Sequence, residues 1–572
     1  HFMDINFIKR YIDLLAFHKM NVLHWHLTDD QAWRIEIKQY PKLTSMGSFR
    51  KQKDGSLYGG FYSQEQITDI IYYASQRGVC VIPEIELPGH CIAALAAYPE
   101  YSCSGGPFEV ETDWGVFKEI YCAGNDQTYT FLENILDEVI SLFPSEYIHI
   151  GGDEVPKYRW ERCEKCISRM VDQELEDVHE LQSYFIQRIE TYLNEKGKKI
   201  IGWDEILEGG LAQDATVQSW RSFEGAAQAA KMGHDAIVSP TSHAYFDYNL
   251  NAIDLKKVYS FDPIPEGLTE KESLHIIGGE CNMWSERAPQ DKIDSKVFPR
   301  ILAMSEILWA SPEHKDYDRF YKRVQNHYKR LDQLNVDYGL ESVPIRFISS
   351  YSADSFHVDL QSGSNDLELF YQLDQGEVFP YEDSFSISDI FHVKSWATKN
   401  SNIYGDTLNI YLYAHKGIEA DLSGFNEYFD GYSAGGNHGI MDGLRGSTDF
   451  RDGRWQGYSG NDFEVTIDLK DVQSIDRVVS SFFQYNLSWI FIPIELKVYI
   501  SLDGESYFEK GHLFPNVPPD KPGQFYNEFE IKFPATKARY VKFKAKNLGV
   551  CPKWHSAAES PAWLFVDEIQ VY

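Results

Sequence analysis

Short apolar runs recur through the first part of the chain, separated by stretches whose apolar positions repeat at helical spacing. The runs are "NVLHWHL", "VCVIPEI", "YIHIGG", "KIIGW", "TVQSW", "DAIVSP" and "HIIGGECNMW", with "HF" at the start as a truncated first member. Short continuous apolar runs read as strands buried on both faces. The segments between several of them read as amphipathic helices. One begins at "SQEQITDIIYYASQRG", where Ser63 and Gln66 have capping-box spacing and Gly78 stands where a helix would stop. Another runs through "VHELQSYFIQRIETYLNEKG" to Gly197. Strand-like runs joined by helices in this number predict an α/β fold, a (β/α)8 TIM barrel over residues 1–335.

Beyond residue 335 the helical period disappears. "DTLNIYLYAHKGI", "DFEVTIDLKD", "ELKVYISLDGESY", "ARYVKFKAKN" and "WLFVDEIQVY" read as strands, and "SLDGES" is a hairpin-type turn signal. This spacing predicts two β-sandwich domains after the barrel. A break near "ADLSGFNEYFDGYSAGGNHG" divides them into a small spacer, 336–424, and a larger module, 425–572.

Composition narrows the function. The 572 residues exceed one hydrophobic core. The net charge of −32 argues against nucleic acid as a partner and against docking on anionic membranes. No apolar run reaches the ~18 residues needed to span a bilayer, so no membrane insertion is expected of this chain. Aromatic residues make up 15%, enough to fill cores and still supply platforms for flat ligands. The opening "HFMDINFIKRYIDLLAFHKM" reads like the middle of a domain, so the natural N-terminus is expected upstream. Cys163 and Cys166 form a lone CxxC in "ERCEKC". A zinc site needs a second ligand pair at matching spacing, and none is evident, so free or locally paired thiols are expected.

In a barrel of this kind, catalytic groups stand at the C-terminal ends of the strands. The second run is followed by Asp29 and Asp30, the third by Glu84, Glu86 and His90, and the fourth by the adjacent acids Asp153 and Glu154. The fifth ends in Trp203, Asp204 and Glu205, and the sixth in Trp220. The seventh leads to Tyr245 and Asp247, and the eighth to Trp284 and Glu286. Carboxylates accept hydroxyl hydrogen bonds, and indole faces cover the apolar side of a pyranose. Any single position suits a surface acid or a core aromatic, but repetition at nearly every strand end points to a sugar site. A metal-dependent hydrolase is the rival reading, because His24 and His26 lie on one side of a strand in "HWH". Both precede the strand end, where side chains fill the barrel, so a buried histidine pair is the commoner outcome.

These residues carry a resemblance. "NVLHWHLTDDQAWRIEIKQYPKLT", "PEIELPGH", "HIGGDEV", "GWDEI", "VQSW" and "GGECNMWSE" occur in the order seen in family-20 glycoside hydrolases, the β-N-acetylhexosaminidases. The resemblance covers essentially all of residues 1–335. The arginine that the family usually carries just before "HF" lies outside the sequence. The resemblance implies exo-hydrolysis of terminal β-linked GlcNAc or GalNAc by a substrate-assisted retaining mechanism through an oxazolinium ion. It implies catalytic roles for Asp153, Glu154 and Tyr245. Substrate-binding roles are implied for Asp29, His90, Trp203, Trp220, Asp247, Trp284 and Glu286. It implies no catalytic cofactor or metal, glycans with terminal N-acetylhexosamine as partners, and a periplasmic, extracellular or cell-surface location. One departure is Glu86, where the family pattern "PEIDxPGH" has aspartate. A catalytically weak glycan-binding protein on the same barrel is the remaining alternative, and the intact Asp153–Glu154 pair speaks against it.

Residues 425–572 resemble a discoidin-type (coagulation-factor type C) β-sandwich, through "GIMDGLRGSTDFRDGRWQGYSGNDFEVTIDLKDVQSIDRV", "KVYISLDGESY", "ARYVKFKA" and "VDEIQVY". That resemblance implies a carbohydrate-binding module and a structural calcium as candidate features. Trp455, Trp489, Trp554 and Trp563 are the candidate sugar platforms, with core filling expected for at least half of them.

Overall fold

The computed structural model describes residues 1–52, 55–286, 288–388, 392–418, 420–555 and 557–572. The chain separates into two compact units, His1–Glu341 and Ser342–Tyr572.

The first unit is built on seven parallel strands: β1 Val22–His26, β2 Cys80–Glu84, β3 Tyr147–His149, β4 Lys199–Trp203, β5 Thr216–Ser219, β6 Ala236–Val238 and β7 Ile276–Gly279, paired in that order. Each coincides with one of the apolar runs. Parallel strands need long crossovers, and the helices between them supply these and cover the sheet. Gln64–Ser75 starts at Ser63 with the full reciprocal capping box to Gln66. Val178–Glu195 starts at Asp177, whose carboxylate accepts from the His179 and Glu180 amides. Their buried faces, such as Ile67, Ile70 and Ala74, join one core with the strand residues.

The expected eighth strand is corrected. Among the described residues, His1 and Phe2 make no strand: Phe2 donates its amide to Tyr58 Oη at 2.9 Å, and Asp4 caps the helix Ile5–Phe17. Phe2 packs instead against Tyr62, with ring centroids 4.9 Å apart. The edge strands are still brought round to each other, because His24 Nδ1 on β1 lies 2.9 Å from Glu280 Oε1, just past β7. The architecture is a barrel-like parallel α/β sheet.

The second unit is β-rich. Ile345–Ser352, Ser355–Ser362 and Phe385–Ile387 form a three-stranded sheet. Val378–Pro380, Glu368–Leu373, His392–Lys399 and Asn402–Tyr411 form a four-stranded one. Phe356, Val358, Leu369 and Val393 fill a core there. A larger antiparallel sheet is organised by two 22-residue strands, Phe463–Gln484 and Phe525–Lys546, around a second core containing Phe463, Phe482, Val541 and Phe543. Leu412 bridges to Leu444, and His415 Nε2 lies 2.7 Å from the buried Glu568 Oε1, so contacts cross the expected boundary at 424. Trp455 is 1% exposed and packs with Phe450, Phe483 and Phe565, with Trp563 against the same cluster. Trp489 packs beside Phe491 and Cys551, whereas Trp554 is 54% exposed.

Candidate active site

The register of β1 to β5 brings polar side chains to one interior level. His26 pairs with Glu84, Glu84 with His149, and Trp203 with Gln218. Glu84 is fully buried and becomes the hub of a network. It accepts from Trp203 Nε1 at 2.8 Å and faces His149 Nδ1 at 2.9 Å and His24 Nε2 at 3.0 Å. Glu280 accepts from Gln218 Nε2 at 2.9 Å and faces His24 from the other side. Burial alone would raise the Glu84 carboxyl, but His149, His26 and His24 outweigh it and hold it well below the usual range. Burial opposes charge on His24 too, yet Glu280 and Glu84 push it up to about 10. His24 is thus held between the Glu84 and Glu280 carboxylates, bridging the first and last strands of the sheet.

Beside this network the chain leaves β3 through Gly151 and Gly152, at φ 69° and 96°. Both glycines are needed. A Cβ on Gly151 would overlap Glu86 Oε2, and one on Gly152 would stand 2.7 Å from Ile206 Cγ2. The turn then presents Asp153 and Glu154. Glu154 itself has φ 46°, a left-handed conformation that L side chains rarely hold. Glu86, the departure from the family pattern, lies buried under this turn with His26 Nε2 3.4 Å from its Oε1. Burial, with Asp153 and Glu84 nearby, pushes its carboxyl well up.

His90 joins two acid pairs. Its Nδ1 is 3.1 Å from Asp30 Oδ2 and 3.4 Å from Asp29 Oδ1. Its Nε2 is 3.6 Å from both Asp153 Oδ2 and Glu154 Oε2. Burial would lower the imidazole's pKa, but Asp153, Asp29 and Asp30 outweigh it and hold the ring protonated well above its ordinary value. Asp29 is held low, since His90 and His26 overcome its burial. Asp153 is pushed well up by burial, opposed by His90 and reinforced by Glu205 and Glu154.

Aromatic rings continue around the same place. Trp203 and Trp284 have centroids 6.2 Å apart, Trp284 and Tyr245 6.5 Å, and Tyr245 and Trp220 6.3 Å. Trp220 Nε1 donates to Glu205 Oε2 at 2.9 Å. Burial lifts Glu205 to about 7 despite that bond. Burial and Glu286 lift Asp247 to about 6, and burial and Asp29 raise Glu286. Asp153 Oδ1 and Asp247 Oδ1 are buried without a hydrogen-bond partner among the described residues. Buried acceptors are rarely left so, which suits oxygens that meet a ligand.

The strand-end acids and aromatic residues named for the sugar site therefore gather in one region, and Cys163 and Cys166 lie in a separate cluster. Glu280 and Gln218 were not singled out. Glu280 meets His24 on the opposite edge strand and accepts from Gln218, and nothing local in "GGEC" or "VQSW" signals either pairing. Asp30 and Glu205 were visible as strand-end acids, but their close roles beside His90 and Trp220 needed the fold. Among the described residues, every group of three or more His, Cys, Asp or Glu at metal-ligand spacing lies in the first unit.

Carboxylates and indole rings gathered at the ends of parallel strands are the arrangement of a glycoside hydrolase. Residues 1–312 match the glycosyl hydrolase family 20 catalytic domain, and the chain belongs to that family. It is 46% identical to a β-hexosaminidase of Porphyromonas gingivalis over 351 residues, covering 59% of this chain and 45% of that protein. It is 36% identical to a β-hexosaminidase of Vibrio furnissii over 337 residues, covering 53% and 54%. A crystal structure of β-N-acetylhexosaminidase from Bacteroides fragilis matches with TM-score 0.54 and 36% identity, over 59% of this chain and 70% of that one. The chain spans about half the length of these two curated relatives.

Proposed function

We propose that this chain is an exo-acting β-N-acetylhexosaminidase that releases terminal β-linked GlcNAc or GalNAc by substrate-assisted catalysis. The observation that carries the reading is the placement of adjacent Asp153 and Glu154 on one histidine, His90, beside the aromatic set of Trp203, Trp220, Tyr245 and Trp284. A conventional retaining pair takes its acid and its nucleophile from opposite sides of the sugar. Adjacent acids suit a different division of labour. The substrate's 2-acetamido oxygen attacks C1, and the glycosidic bond breaks as Glu154 protonates the leaving oxygen. Glu154 then takes a proton from the water that opens the oxazolinium ion. Asp153 accepts from the acetamido N–H and balances the charge that grows there. Tyr245 donates to the acetamido oxygen, and the tryptophans hold the acetyl group in line for attack. Asp29, Asp247 and Glu286 accept from sugar hydroxyls.

The test is turnover of a nitrophenyl β-GlcNAc and a nitrophenyl β-GalNAc by the chain and by its Asp153→Asn and Glu154→Gln variants. Equal rates in wild type and variants overturn the proposal. For residues 425–572 we propose a discoidin-type glycan-binding module, with exposed Trp554 as its platform. The setting proposed for both is glycan turnover outside the cytoplasm.

A further inference from the structure

Four cysteines that the proposed reaction does not use converge at one point. Cys103 and Cys122 come from the connection that follows β2 and His90, and Cys163 and Cys166 from the connection that follows β3 and Glu154. The second pair missing from the sequence reading is thus Cys103 and Cys122, separated along the chain by a loop rather than set in a CxxC. Their adjacency is made by backbone pairing: Ser102 and Tyr121 form an antiparallel bridge, and the Cys122 amide donates to the Tyr101 carbonyl at 2.8 Å. Cys163 caps the helix Glu164–Asp172, and Cys166 stands in its first turn. The two connections are also held by Trp160 Nε1 donating to the Tyr121 carbonyl at 2.9 Å and by Arg159 Nε donating to Glu119 at 2.7 Å. Gly124 lets them close, because a Cβ there would overlap the Lys165 carbonyl and the Cys166 amide nitrogen.

The sulfur geometry is specific. Sγ separations are 3.7 Å for Cys103–Cys166, 3.8 Å for Cys122–Cys163 and 3.7 Å for Cys122–Cys166. All four sulfurs lie within 4.8 Å of one another. A tetrahedron with Zn–S bonds of about 2.3 Å has edges of about 3.8 Å. Two disulfides would instead give two short separations of about 2.05 Å. Free cysteines packed as small apolar groups have no reason to equalise their sulfur spacings. Cys122 and Cys166 are buried, Cys103 and Cys163 half-buried, and none is disulfide-bonded.

We propose that Cys103, Cys122, Cys163 and Cys166 bind one structural zinc ion as a tetrathiolate. Four protein ligands leave no open position, so the ion takes no part in glycoside cleavage. Its role is to fasten the connection that starts at His90 to the connection that starts at Glu154. Binding releases the thiol protons to solvent, so occupancy falls at low pH. The inference stands independently of the proposed hexosaminidase reaction.

The test is metal analysis of the whole purified chain, kept reduced and passed through metal-free buffer. About one zinc per chain is expected, released stoichiometrically when a mercurial titrates the thiols. Cobalt exchanged into the site should give the intense visible bands and sulfur-to-metal charge transfer of a tetrahedral tetrathiolate. A Cys163→Ser/Cys166→Ser variant should lose the zinc. The wild-type cobalt spectrum carries the test if that variant fails to fold. Less than about a tenth of a zinc per chain, with disulfides joining these cysteines or all four alkylated in the native protein, would overturn the proposal. Stoichiometric iron in place of zinc would overturn it too. None of these readouts depends on glycosidase activity.

Discussion

His90 Nε2 stands 3.6 Å from Glu154 Oε2, and both residues hold left-handed backbone, at φ 45° and 46°. Such strain persists only where surrounding structure over-determines it. Here Gly151, Gly152, Glu86 and the paired Asp29 and Asp30 do so.

Removing the acid and removing its neighbour should separate. Glu154→Gln should lower kcat/KM on a β-GlcNAc disaccharide by about 10²–10⁴-fold, with a much smaller loss on a dinitrophenyl glycoside, whose leaving group needs no proton. Asp153→Asn should lose activity on both substrates, because its partner is the acetamido group. Steady-state kinetics on the two substrates distinguish these patterns.

His90→Asn removes a cation from between two acid pairs. Asp29, Asp30 and Asp153 then lose a favourable charge, so their pKa values rise. The acidic limb of the kcat/KM–pH profile should move to higher pH, by about one unit. An unmoved limb would leave His90 with a packing role only.

Two glycines separate backbone strain from crowding. Gly78 has φ 69° and open space around a would-be Cβ, so Gly78→Ala should cost only the left-handed term, about 1–2 kcal/mol. Gly151 has the same φ but faces Glu86. Gly151→Ala should cost more and also depress kcat, since the displaced turn carries Asp153 and Glu154. Denaturant unfolding beside kinetics reads both effects.

Glu205 has its carboxyl raised to about 7, against about 4.3 in an unfolded chain. Between those values the native state holds the extra proton, so this group's contribution to stability falls as pH rises from about 4 to about 7. Glu205→Gln keeps an acceptor for Trp220 and abolishes the titration. Relative to wild type it should be more stable at pH 8 than at pH 5, by on the order of 1–3 kcal/mol. Melting curves of both proteins at the two pH values provide the check.

In the second unit, Trp455 and Trp554 should behave oppositely. Trp455→Ala empties a filled core and should destabilise by about 3–5 kcal/mol. Trp554→Ala should leave stability within about 0.5 kcal/mol and weaken retention on an immobilised N-acetylhexosamine glycan. Unchanged retention would remove Trp554 from the proposed glycan-binding role.

The strands and helices of the first unit were legible because both signals are local. β1 to β7 coincide with apolar runs, and Ser63, Gln66 and Gly78 punctuate a helix within one window. The candidate acids were legible for the same reason, since each follows its strand directly. The truncated "HF" member forms no strand, because a strand depends on a partner that local pattern cannot supply. The joining of β1 to Glu280, the sharing of His90 between Asp30 and Glu154, and the meeting of Cys103 and Cys122 with Cys163 and Cys166 were beyond a local reading. Each depends on distance between residues far apart in sequence. The order of apolar runs determined which elements form and which side chains stand at their ends. Only the tertiary structure decided which of those side chains share a charge, a proton or a ligand, because electrostatic and coordination energies depend on separations of a few ångströms that no one-dimensional pattern contains.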